Sequence, residues 1–215
     1  MSSKSDKLNN VTFIVKNARL SFPHLTEPKS TKGGSPRYQA SLLLDPKDPE
    51  QKAQILEIKK CAEDMAIAHW GKKVPSDRSC LRKGDDEDGN PRYDGYGGMW
   101  VISAARAEKQ GQPTLVDRKR NPFKDNATAA KTLFAGCRVN AKINVYANEY
   151  EGVKRINATL EVVQFVRDDE PFGAAPATAD DMPDVEEDDL DDDLDTPPAK
   201  DKGKGKAAAA DDDDL

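Results

Sequence analysis

At 215 residues, with 36% hydrophobic and 33% charged side chains, the chain has room for one substantial domain and an appendage. Its net charge of −6 conceals a division: residues 1–167 carry 29 bases against 20 acids, whereas 168–215 carry 19 acids against four lysines. Three cysteines without a CxxC pair give neither a disulfide framework nor a zinc knuckle, and no stretch has the length and apolarity of a membrane span or signal segment. A soluble protein of a reducing cytoplasm is expected, with residues 1–10 flexible, 11–167 folded and 168–215 a disordered acidic tail.

Residues 11–22, VTFIVKNARLSF, have strand composition and end at Pro23; residues 37–44, RYQASLLL, read as a second strand between KGGSP and Asp45-Pro46. One helix follows. Asp48 is its N-cap, Pro49 opens it, Ile55, Ile58, Ala62 and Met65 recur at helical spacing, and Gly71 stops it. Residues 71–97 form a long polar connection, of the kind that is usually functional. A third strand is expected over 99–106 and a short one at TLVDRKR, with NPFKDNATAAKT as a loop.

The last two strands alternate most clearly. Cys137, Val139, Ala141, Ile143 and Val145 face inward while Arg138, Asn140, Lys142, Asn144 and Tyr146 face water. After NEYEG the pattern resumes with Ile156, Ala158, Leu160 and Val162 inward, so a hairpin is predicted. The order fits a mainly β fold: a five-stranded OB-type antiparallel barrel with one helix after strand 2. A β-sandwich, or a flat sheet backed by the helix, satisfies the same pattern.

No phosphate loop, HExxH or GxSxG is present, and two histidines, His24 and His69, supply little for a catalytic cluster. The run GDDEDGN misses the calcium-loop register, with glycine (Gly84, Gly95) at the first and last ligand positions. A metal-dependent nuclease would have to use Asp85, Asp86, Glu87, Asp88 and Asp94, which crowd one loop instead of converging from rigid elements. No cofactor and no catalytic residue is therefore assigned.

Basic charge interleaved with aromatics is present. PRYDGYGGMW carries Arg92, Tyr93, Tyr96 and Trp100; DRKRNPFK carries Arg118, Lys119, Arg120, Phe123 and Lys124; the outer face of the last hairpin adds Arg138, Lys142, Tyr146 and Arg155. Cations follow phosphates and flat rings stack on unpaired bases, at about 1–3 kcal/mol per stack. Trp100, inside a strand, serves equally well as core. Tyr93 and Tyr96 lie among glycines, where contact with a ligand is the better reading.

The acidic tail of 48 residues spans about 35–40 Å as a random coil, against a radius of about 15 Å for the body. It is expected to occupy a cationic groove as a polyanion, with Asp211, Asp212, Asp213, Asp214 and Leu215 free for protein partners once nucleic acid displaces it. A merely solubilising tail, or an interaction module working through it, stays open as an alternative.

The segments YDGYGGMWVISA, PTLVDRKRNPF and FAGCRVNAKINVYANEYEGVKRINATLEVVQFVRDDEPFG resemble the bacteriophage OB-fold single-stranded-DNA-binding protein family, over residues 11–173. The resemblance implies an OB body, DNA binding without strong sequence preference, an acidic C-terminal tail and a place in phage replication or recombination; the expected partners are single-stranded DNA, duplex DNA as a second ligand, and replication proteins through the tail, in the host cytoplasm. Matching positions are Tyr93, Tyr96, Trp100, Asp117, Arg118, Arg138 and Asn140; the departure is a terminal Leu215 where such tails commonly end in an aromatic. No membrane contact is implied, and the oligomeric state, a homodimer included, stays open.

Overall fold

The structure, a computed structural model, describes residues 9–30 and 34–173. Seven strands form one sheet: β1 (Asn10–Lys29), β2 (Arg37–Leu44), β3 (Leu81–Lys83), β4 (Trp100–Ala107), β5 (Thr114–Val116), β6 (Arg138–Tyr150) and β7 (Val153–Arg167). Their order across the sheet is β3-β4-β2-β1-β6-β7-β5, antiparallel except for β5 against β7. The sheet curls until its ends meet. Cys80 donates its N–H to the Ile156 carbonyl at 2.7 Å, and its own carbonyl accepts from Ser103 N–H at 2.8 Å. Residues 79–80 are thus a stave between β7 and β4, and the OB-type barrel expected from the sequence closes there.

The helix α1 (Pro49–Trp70) has the limits that its sequence dictates. The Asp48 carboxylate accepts from Glu50 and Gln51 N–H, and Gly71, at φ 70°, returns its N–H to the Ile67 carbonyl. Ile55, Ile58, Ala62 and Met65 are buried against the barrel, at roughly 1.5–3 kcal/mol for each large side chain. Gln51, 2% exposed, joins helix to barrel: its Nε2 donates to the Asn17 carbonyl and its Oε1 accepts from Asp45 N–H.

Four expectations are corrected. The first strand does not stop at Pro23; β1 runs on to Lys29 because register shifts between Ser21 and His24 take Pro23 out of the ladder. A second helix, α2 (Asn126–Thr132), stands where a loop was expected, capped by the Asp125 carboxylate on Thr128 N–H. The polar connection after α1 is not structureless, since it holds a 3₁₀ turn (Ser76–Arg78) and β3. In β7 a register shift beside Ile143 flips the phase, so Val163 is buried and Val162 only half-buried. The other inward positions of the hairpin are buried as predicted. Its turn is the two residues Glu151-Gly152, both at positive φ, which suits the twist of tightly paired strands.

The folded body also extends past residue 167. Asp169 pairs with Arg138 at 2.5 Å, and the Phe172 ring lies 4.1 Å from the Arg19 guanidinium, so the first residues counted with the tail pack on the barrel.

Candidate nucleic-acid interface

A groove of about 710 Å³ runs over the seam where the barrel closes. Across β2 and β4 its lining consists of Gln39, paired with Ala105, and Ser41, paired with Ser103, three of the four with short side chains. The stave and its flanks add Arg78 and Arg82, and the outer face of β7 and β6 beside it adds Tyr146, Asn148, Arg155 and Asn157. Arg37 and Lys109, brought together by the β2–β4 ladder, and the touching pair Phe22 and Tyr93 complete the lining. Among the described residues, the lining holds five cations (Arg37, Arg78, Arg82, Lys109, Arg155) against one carboxylate, Asp77, together with three rings.

The exposed rings are held by unusual backbone. Phe22 sits at φ 46°, a left-handed conformation costly for a bulky residue and more so before proline, and its side chain is 47% exposed. Such strain persists only where surrounding structure enforces it. Tyr93, 54% exposed, meets Phe22 edge-on at 4.9 Å. Tyr93 opens a turn closed by Tyr96 N–H on its carbonyl, and Gly95 supplies the positive φ of 72° at the third position. Tyr96, expected to be a second stacking ring, is instead core. It is 3% exposed, packs with Leu43 and Val101, and has its hydroxyl on Ser21 Oγ at 3.2 Å.

Of the sequence candidates, Tyr93, Tyr146 and Arg155 line the groove, and the others lie elsewhere. Trp100 is half-buried against the core with Lys59 Nζ 5.5 Å from its ring centre. It shares with Arg92 a second cavity of about 830 Å³ under α1, where acids and bases are mixed. Arg138 is a structural ion-pair residue on Asp169, and Lys142 pairs with Glu161 at 2.8 Å. Phe123 is half-buried against the core.

Arg118, Lys119 and Arg120 project from a separate turn, with Lys124 exposed just beyond. The Asp117 carboxylate builds that turn by accepting from Lys119 and Asn121 N–H and from the Asn121 side chain, and the Asn121 bonds hold its carboxyl below the ordinary range. Arg118 is pinned to the Val166 carbonyl and lies near the Phe165 ring. The groove residues that sequence reasoning missed are Phe22, Arg37, Arg78, Arg82 and Lys109. The single local signal was Phe-Pro at 22–23, a bulky residue ahead of a proline inside a strand.

The loop acids serve their own backbone. Both Asp85 oxygens accept from Gly98 N–H, Asp86 accepts from Asp88 and Asn90 N–H, and Asp94 accepts from Gly173 N–H. Among the described residues no three His, Cys, Asp or Glu side chains converge as a metal site. Burial pushes the Cys80 and Cys137 thiols up to about 12, leaving them protonated and unreactive at neutral pH. No helix among the described residues is long and apolar enough to cross a membrane. The tail positions Asp211–Leu215 lie outside the described residues.

An OB-type barrel with a cationic, ring-bearing groove over its seam defines a nucleic-acid-binding class of domain. The chain belongs to the family of the Enterobacter phage Enc34 ssDNA-binding protein, whose pattern matches residues 11–194. It is 31% identical over 192 residues to protein p50 of Acyrthosiphon pisum secondary endosymbiont phage 1, covering 83% of this chain and 92% of that one. The single-stranded DNA-binding protein from bacteriophage Enc34, solved in complex with ssDNA, superposes at a TM-score of 0.63 with 30% identity, over 78% of this chain and 91% of that chain. The likeness to gp2.5, a single-stranded DNA binding protein encoded by bacteriophage T7, is one of fold alone: TM-score 0.52 at 15% identity, over 80% and 92% of the two chains.

Proposed function

We propose that this chain binds single-stranded DNA along the seam groove and coats strands exposed during phage DNA replication or recombination. Family membership supplies the ligand class, and the groove supplies the chemistry. The observation that carries the reading is the lining itself, five cations and three rings against one carboxylate. Arg37, Arg78, Arg82, Lys109 and Arg155 neutralise phosphates, while Phe22, Tyr93 and Tyr146 offer faces or edges to bases. The protein acts by binding, without chemistry on the strand, in the host cytoplasm. The acidic segment beyond residue 173 competes with DNA for the cations and recruits other proteins when displaced.

Anisotropy titration of a labelled oligo-dT, with duplex and RNA of the same length as competitors, tests this. Saturable binding that weakens log-linearly with salt is expected, with the strand intact after incubation with magnesium. No binding at low salt, or magnesium-stimulated cleavage, refutes it.

A further inference from the structure

We propose that Phe172 is a positioning residue for single-strand binding: it braces the turn that presents Tyr93 to the groove. The inference rests on the groove reading above and adds to it a part of the chain that the groove does not contain.

Residues 169–173 cross the barrel surface as a strap fixed at both ends. At its start, Asp169 pairs with Arg138 at 2.5 Å and with Arg19 at 3.9 Å, while Arg19 Nη2 donates to the Glu170 carbonyl at 2.6 Å. Gly136 leaves room for the strap, since a Cβ there would stand 2.3 Å from the Glu170 carbonyl oxygen. At its end, Phe172 N–H donates to the Ala135 carbonyl at 3.1 Å and Gly173 N–H donates to the Asp94 carboxylate at 3.1 Å.

Between these anchors the Phe172 ring is sandwiched. The Arg19 guanidinium lies 4.1 Å from its centre, and Gly95 lies against its edge so closely that a Cβ on that glycine would come within 2.1 Å of it. Gly95 is the third residue of the turn that begins at Tyr93. Within that turn the buried Tyr96 ring stands 5.2 Å from the Tyr93 ring, which in turn meets Phe22. Strap, turn and exposed ring therefore form one packed series, Phe172 to Gly95 to Tyr93.

The turn needs such a brace. Gly95, Gly97 and Gly98 fall within six residues of Tyr93, and glycines surrender the most conformational entropy when ordered. A ring that must be fixed by the incoming strand binds it less tightly than one fixed beforehand. Phe172 supplies that order without touching the groove: it is not among the groove's lining residues.

The test uses the full chain and four variants, F172A, F172Y, Y93A and F172A/Y93A, titrated with oligo-dT across a salt series. F172A is expected to lose about five- to tenfold in affinity at unchanged salt slope, a fraction of one stacking interaction. F172Y should keep most of the affinity, the F172A loss should vanish in the Y93A background, and amide exchange over 93–99 should quicken. Should F172A fold poorly, D94A, which removes only the exposed acceptor of Gly173 N–H, is expected to shift binding and exchange in the same direction. A loss from Y93A combined with an F172A or D94A that binds like the parent overturns the bracing and leaves the groove reading intact, as does an F172A loss of equal size with Tyr93 absent. A Y93A that binds like the parent overturns the groove reading, and the bracing with it.

Discussion

The rings of Phe22 and Tyr93 meet edge to face, centroids 4.9 Å apart and planes at 75°, although 71 residues separate them in the chain. Both remain about half exposed, one on a strained β1 kink and the other on a glycine-rich turn. Strained backbone of the Phe22 kind persists where surrounding structure enforces it, and the proposed function gives this pair of rings a use, as faces offered to bases.

Replacing either ring by alanine should cost about 1–3 kcal/mol of single-strand affinity with the salt dependence unchanged. Because the rings touch, the double variant should lose less than the sum of the two single losses. Anisotropy titration at three salt concentrations decides it; a flattened salt slope would assign these positions to electrostatics.

Arg82 and Arg155 both line the groove and should each contribute a phosphate contact. R82Q and R155Q are expected to reduce the slope of log affinity against log salt by roughly 0.7 each. The triple change R118Q/K119Q/R120Q, on a turn outside the groove, should leave the slope near the parent value. The opposite ranking would move the DNA path to that turn.

Deleting residues 174–215 removes sixteen acids and four lysines but keeps the strap. Tighter DNA binding is expected at low salt, with the gain fading as salt rises. Deletion from residue 168 should gain less, because it also takes Phe172 away. Equal affinities of the parent and the shorter deletion at every ionic strength would show that the segment does not compete.

Gln51 bridges α1 to β1 at Asn17, and Q51A leaves the Asn17 carbonyl one donor short and Asp45 N–H without its acceptor. An unsatisfied buried group costs about 1–3 kcal/mol, which for a domain of this size lowers Tm by roughly 2–4 °C per kcal/mol. Calorimetry of Q51A against an exposed control such as K52A measures it.

Burial pushes the Asp169 carboxyl up, but its hydrogen bonds from Arg138 and Glu170 N–H, together with the charges of Arg138 and Arg19, leave it below the ordinary carboxylate range. A depressed folded value stabilises above the unfolded carboxylate pKa of about 3.9 and is lost as pH falls through the lower folded value. The Tm gap between the parent and D169N should therefore be full above about pH 5 and shrink steadily as pH falls below the unfolded carboxylate value. A gap that does not change with pH over the acid range would mean that the ion pair is not its source.

The sequence alone determined those elements whose instructions are local. Asp48-Pro49 and Gly71 bound α1, turn signals on both sides bound β2, and alternation makes the β6–β7 hairpin, because caps, turns and two-residue periodicity act within a few positions. Basic residues mixed with rings gave the ligand chemistry, and three of the groove's residues, Tyr93, Tyr146 and Arg155, were legible with it. Only the tertiary structure decided which cations face the same way. The β2–β4 ladder brings Arg37 beside Lys109, the connection after α1 supplies Arg78 and Arg82, and the closure of Cys80 onto Ile156 adds Arg155 from β7 to the same lining. Tyr96 and Tyr93, three positions apart and alike in sequence context, part for the same reason: one turn carries them, and the packing of Leu43, Val101 and Phe172 takes in just one of the two rings.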